Sequence, residues 1–331
     1  MKKLLATAAT LPALCLAGAA YAECGSLTIA SMNWQSAEVL ANLDKIILSE
    51  GYGCQAEIIA GDTVPSITSM TEKGQPTIVP EGWISLMPEV IAEGTKAGKI
   101  VELGNSLVDG GQLGWFIPKY LHDAHPEITT YADVLAHPEL FPAPEDAGKG
   151  AILNGPAGWG GTVVTTNLFK ALDGEAKNFV LVDTGSAAGL DGSIANAYEK
   201  QEGFVAFYWA PTSLLGKYEM FQLDAGVSHD PVEWKRCTSI ADCADPKLNA
   251  FPVDVVYTLA AKPFIDSTEP AVVDYLNKRS WSNATVSALM AWMTDNQATG
   301  EEGAEEFLKK REDLWMQWVT PDAAEKIKAA L

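Results

Sequence analysis

The chain reads as an α/β protein of two lobes, each a mainly parallel sheet flanked by helices, with a cleft between them. Three observations predict this. Strand-length apolar runs alternate with helix-length amphipathic runs along most of the chain, the pattern of βαβ units. The 331 residues exceed what one ordinary core accommodates, even after loss of a leader. Tryptophans recur in short turns that close predicted strands in both halves, at Asn33-Trp34, Gly82-Trp83, Gly158-Trp159 and Tyr208-Trp209, the end at which open sheets of this class hold ligands.

The N-terminus has the form of a secretory leader. Lys2 and Lys3 precede an apolar run over residues 4–20, softened by Thr7 and Thr10, and Ala20-Tyr21-Ala22 offers small residues for cleavage, so residues 1–22 are assigned to a signal peptide and the mature chain to a start at Glu23. A membrane anchor is the alternative, but the run is shorter than the roughly 20 residues a span needs. Lipidation at Cys15 or Cys24 is disfavoured by Leu14 and Glu23 before them. The formal net charge is −20, and the leader takes away two lysines and no acid. Nucleic acid and anionic membrane are poor partners for such a surface, whereas a cationic ligand meets a favourable field; acidity also serves solubility. The mature chain keeps an even set of cysteines, Cys24, Cys54, Cys237 and Cys243, which suits an oxidising compartment. Of three possible connectivities, the local one pairs Cys24 with Cys54 and Cys237 with Cys243. Zinc is the alternative, without a histidine near either pair.

In chain order, a strand over 27–31 opens into the Trp34 loop, and a helix over 38–50 lines up Val39, Leu40, Leu43, Ile46 and Ile47 on one face. A strand over 55–60, a helix over 63–73 and a strand over 77–79 follow, the last ending at Glu81-Gly82-Trp83. Residues 110–120 form an extended segment leaving the first lobe, and 128–144 a short helix with a proline-rich exit. The second series has a strand at 151–153, the glycine-rich turn from Asn154 to Gly161, and a helix over 162–172. A strand at 179–182, a helix at 186–200 and a strand at 204–209 complete it. A loop carrying Cys237 and Cys243 returns to a strand at 253–260, and the remainder is amphipathic helix in which Trp281, Trp292, Trp315 and Trp318 suit packing. The expected division is lobe I over 23–116 and 212–331, with lobe II over 117–211.

The tryptophans carry the chemistry. Indole is the strongest cation-π acceptor among side chains, and several faces around one cavity hold a methylated ammonium that has no N–H to donate. Packing mass is the bland reading of any one of them. Glu81, two residues before Trp83, is a candidate counter-charge or acceptor, and a solvated acid otherwise. Asn33, Asn154 and the amides of the 155–161 turn are candidates for a ligand's polar end. Enzyme signatures are thin: no phosphate loop, zinc helix or nucleophile elbow occurs. His122 and His125 lack a third ligand, and Asp242 and Asp245 read as solvated acids, with surface calcium the alternative. No metal and no cofactor are assigned.

The ordered set of Asn33-Trp34, Gly82-Trp83, Gly114-Trp115 with the following Phe-Ile-Pro-Lys-Tyr120, the run from Gly185 to Lys200, and Val205 to Pro211 with Lys217-Tyr218 resembles the periplasmic substrate-binding proteins of ABC importers for glycine betaine, proline betaine, choline and related methylated amines. The resemblance implies a type II-like two-lobed binding protein, monomeric and periplasmic, that closes on its ligand and serves a permease and its ATPase. It implies cage roles for Trp34, Trp83 and Trp209, with Trp115 at a position often aromatic and Trp159 in the second lobe's glycine turn. Where betaine binders often carry a histidine after the tryptophan that Trp209 matches, this chain has Pro211-Thr212-Ser213. That departure favours a ligand without a carboxylate, such as trimethylamine N-oxide or choline. The alternatives are a periplasmic enzyme acting on a small amine, with Glu81 or Asp183 as base, and a receptor for an amino acid or sulfonate. Such a receptor calls for an arginine, yet arginine occurs only at Arg236, Arg279 and Arg311, none in a strand-end turn.

Overall fold

In a computed structural model, which describes residues 24–331, the first lobe begins β1 (Ser26–Met32), α1 (Gln35–Ile46), β2 (Gln55–Gly61), α2 (Thr63–Lys73), β3 (Ile78–Trp83), α3 (Pro88–Lys96) and β4 (Ile100–Asn105). The second lobe holds β5 (Gln112–Pro118), β6 (Pro142–Ala143), β7 (Asp146–Asn154), α4 (Gly160–Ala171), β8 (Phe179–Asp183), α5 (Ala187–Glu199), β9 (Val205–Ala210), α6 (Ser213–Lys217) and β10 (Met220–Gln222). The chain then returns through β11 (Val256–Ala261) to helices that include α7 (Asn283–Asn296) and α8 (Gly300–Lys310). The expected signal peptide, residues 1–22, lies outside the described residues. No helix among the described residues is long and apolar enough to cross a membrane.

Two sheets result, ordered β2-β1-β3-β11-β4 and β10-β5-β9-β7-β6, with β8 on β7. The βαβ units are parallel as expected: β1 with β2 and β3, and β7 with β8 and β9. Each sheet is nonetheless mixed. β11 runs antiparallel to β3 and β4, and β5 antiparallel to β9 and β10, because each of these strands enters its sheet from the opposite lobe and so begins at the cleft.

The crossovers meet at Gly111 and Asp254, which form an isolated antiparallel bridge. β5 and β10 hydrogen-bond within the second sheet, and the Cys237–Cys243 loop is held against α4 by Asn167, whose amide donates to the carbonyls of Cys237, Thr238 and Ile240 at 3.1, 3.0 and 2.8 Å. Both local disulfides are formed. α3 and β4 lie where no element was expected, and α1 starts earlier than the apolar stripe, at Gln35, directly after the extended Trp34 (φ −134°, ψ 151°).

The first lobe's core contains a buried ion pair. Arg279 reaches Asp44 of α1 at 2.8 Å, and Tyr275 donates to the same carboxylate at 2.5 Å. Arg279 also donates to the Pro80 carbonyl and the Thr258 hydroxyl, tying α1, β3 and β11 together. Removing one member of such a pair strands the other charge, at about 3–5 kcal/mol. Asp44→Ala is expected to lower the unfolding free energy by that order in urea titration; a loss below about 1 kcal/mol would mean the pair does not organise this core.

Candidate functional site

Four of the five singled-out tryptophans converge where the lobes meet. In lobe I, Trp34 follows β1 and Trp83 ends β3; in lobe II, Trp159 precedes α4 and Trp209 lies near the end of β9. All four are nearly buried. The Trp34 and Trp159 rings stand 5.8 Å apart at 87°, and those of Trp159 and Trp209 5.0 Å apart at 90°. With Thr63, Leu86, Leu113, Gly161 and Phe207 they line a small cavity of about 30 Å³. Among the described residues, no lysine, arginine or histidine lines it.

Glu81 sets the lobe I walls. As an i, i+2 neighbour of Trp83 on β3 it points to the same face of the strand, and its Oε1 accepts the indole N–H of Trp34 at 2.7 Å, that of Trp83 at 3.0 Å and the Ser36 hydroxyl at 3.1 Å. It is 1% exposed and does not line the cavity, so it stands behind the indoles, not against a ligand. Burial pushes its pKa up, opposed by the two indoles, Ser36 and the nearby Arg279 charge.

Trp159 is fixed from the other lobe, donating to Asn33 Oδ1 at 2.5 Å. The glycines of its turn allow this close approach: a Cβ on Gly155 would stand 2.5 Å from the Trp159 ring, and one on Gly161 2.1 Å from Phe207. The lobes are shut on each other. Val64 N–H donates to Gly158 O at 3.0 Å across the cleft, and Trp234 Nε1 donates to Ser85 O at 2.7 Å.

The polar residues expected at the ligand are engaged elsewhere. Asn33 is occupied by Trp159. Asn154 accepts the Gly155 N–H at 3.0 Å and donates weakly to Thr162 O, so it shapes the glycine turn from beneath. Trp115 is fully buried, stacked on Tyr131 at 4.3 Å with its N–H toward Thr165 at 3.3 Å. Strand direction explains the difference. β5 begins at the cleft, and its register sets Leu113 opposite Trp209 and Trp115 opposite Phe207, so Leu113 reaches the cavity and Trp115 lies one row deeper. Thr63, Leu86, Leu113, Phe207 and Trp234 went unremarked in the sequence. Thr63 had a signal, as the first helical residue after a predicted strand.

Residues 25–310 match the family described as the substrate-binding domain of the ABC-type glycine betaine transport system. The trimethylamine N-oxide-binding protein of Pelagibacter ubique (strain HTCC1062) is 24% identical over 298 residues, 87% of this chain and 89% of the relative. The glycine betaine/L-proline-binding protein of Borrelia burgdorferi superposes with a TM-score of 0.72 at 17% identity, covering 91% of this chain and 99% of that one. An ABC-transporter choline-binding protein in complex with choline does so with a TM-score of 0.70 at 17% identity, covering 93% and 98%.

The Glu81 arrangement is testable without a ligand. Glu81→Leu leaves two indole donors and a hydroxyl without their acceptor, each at about 1–3 kcal/mol when buried, whereas Glu81→Gln keeps an acceptor oxygen. Chemical unfolding should show Leu as the more destabilising of the two by at least about 1 kcal/mol; the reverse order would mean the carboxylate does not organise the indoles.

Proposed function

The chain belongs to the family of substrate-binding domains of ABC-type glycine betaine transport systems, and on that premise we propose that it captures a compact, fully methylated onium osmolyte, trimethylamine N-oxide foremost, in the tryptophan cavity and presents it to an importer permease. Members of this family are binding proteins of transporters, not enzymes. The convergence of Trp34, Trp83, Trp159 and Trp209 on one cavity fed by both lobes carries the reading.

A methylated ammonium spreads its charge over methyl hydrogens, so aromatic faces hold it by cation-π attraction and apolar contact together, at about 0.5–2 kcal/mol per face when desolvated. Four such faces supply about 2–8 kcal/mol, and the upper end reaches the scale of a micromolar complex, about 8 kcal/mol. The absence of a cation among the described lining residues favours a ligand without a free carboxylate, since a buried carboxylate lacking a partner is costly. The relative named for trimethylamine N-oxide supports the same choice.

Because the walls come from both lobes, the ligand lowers the energy of the closed state relative to the open one, and the closed form is what a permease and its ATPase would read. Asp254 at the crossover accepts the Ser85 N–H and O–H at 2.9 and 2.6 Å, and the Gly111 backbone lies against the Trp83 ring, where a Cβ would stand 2.0 Å from it. Cage and hinge are thereby in direct contact. A monomer working in the periplasm after leader removal completes the proposal.

Indole fluorescence titration of the mature protein with trimethylamine N-oxide, choline, glycine betaine, carnitine and dimethylsulfoniopropionate, followed by calorimetry, tests it. Trimethylamine N-oxide should bind most tightly, and silence toward the whole panel would discard the cage. Trp34→Ala, Trp83→Ala and Trp209→Ala should each weaken binding at least about tenfold through loss of one face. Trp115→Phe should leave affinity within about threefold; a loss matching the cage variants would return Trp115 to the site.

A further inference from the structure

Among the described residues lining the cavity, Thr63 brings the only hydroxyl. The side chain is 3% exposed, yet its hydroxyl has no hydrogen-bond partner among the described residues. A hydroxyl on a buried residue that opens on an indole-walled cavity is a donor left in want of an acceptor.

Its backbone position strengthens the point. Thr63 is the first residue of the 11-residue α2, and Asp62 before it makes no side-chain cap bond. The first-turn amides of a helix have no intrahelical acceptor and carry the positive end of its dipole. Here Val64 gives its N–H to Gly158 across the cleft and Pro65 has none, which leaves the Thr63 end of the helix for a guest. The Asp62 carboxylate is turned to the Trp159 indole and the Asn33 backbone. Three of the four cage indoles are committed, those of Trp34 and Trp83 to Glu81 and that of Trp159 to Asn33, which leaves the Thr63 hydroxyl and the Trp209 indole N–H as the side-chain donors of the lining.

Building on the cage reading, we infer that the Thr63 hydroxyl donates to an oxygen bonded directly to the onium nitrogen, so that this site selects an N-oxide over a quaternary ammonium of the same shape. The two guests differ in a single substituent on nitrogen; as oxygen, that substituent must exchange water for a protein donor or bear an uncompensated desolvation cost. Tetramethylammonium is the matching control, since it replaces that oxygen by a methyl group.

Isothermal titration calorimetry of the mature protein with trimethylamine N-oxide and with tetramethylammonium chloride decides the matter. Thr63→Val, which keeps the shape and removes the hydroxyl, should weaken N-oxide binding about tenfold or more while changing tetramethylammonium binding less than about twofold, and Thr63→Ser should restore most of the N-oxide affinity. Thermal melting verifies folding, and Thr63→Ala supplies the same contrast if the Val variant does not fold. Equal losses for both ligands, or no loss for the N-oxide, would overturn the inference and leave the cage standing, as would a wild-type protein that binds tetramethylammonium but not the N-oxide. A wild-type protein that binds neither removes the cage reading and this inference with it.

Discussion

One buried carboxylate holds the first lobe's half of the site in shape. Glu81 accepts from Trp34, Trp83 and Ser36 at once, and these residues come from the loop after β1, the end of β3 and the first turn of α1. Without a common acceptor, each indole would choose its rotamer by local packing, and two flat faces at a defined angle would be an accident. An ionised group this deeply placed is costly unless hydrogen-bonded, and its three donors all come from the structure it organises. The constraint is therefore reciprocal: the indoles satisfy the carboxylate and the carboxylate orients the indoles.

Beneath it lies a second polar layer with the same logic. Arg279 pairs with Asp44 and donates to the Pro80 carbonyl beside Glu81, and its charge bears on Glu81. α1 is thus gripped at its start by Ser36 and further along by Asp44, which fixes the helix whose N-terminus presents Trp34. Rigidity in lobe I contrasts with the join between lobes, where the two crossing segments meet at a single bridge, Gly111 with Asp254. A preorganised half-site on one side of a slender hinge suits capture followed by closure.

The sequence made much of this legible. βαβ alternation placed Trp34, Trp83, Trp159 and Trp209 beyond the carboxyl ends of strands, and strand-end position is enough to send them to one cleft. The even cysteine count and short spacings anticipated the pairs that form. Trp115 shows where such reasoning stops. Its strand was visible, but strand direction was not, and an antiparallel entry turns the first residues of β5, rather than the later ones, toward the cleft. Sheet membership of β5 and β10 was hidden for the same reason, since it is a matter of long-range hydrogen bonding. Asn33, Asn154 and Glu81 were legible as polar groups near the site, while their partners were not.

By itself, then, the chain determined the architecture and the ends of the strands that carry indole, because apolar periodicity and aromatic content are local properties of the sequence. Tertiary structure decided which polar groups remain free at the indole-lined cavity. Hydrogen-bond donors and acceptors are consumed pairwise by whatever lies within about 3 Å, and contacts between residues 34 and 81 or between 33 and 159 arise only when distant segments meet. That pairing left Thr63, an inconspicuous residue at a helix start, as the hydroxyl facing the indole walls.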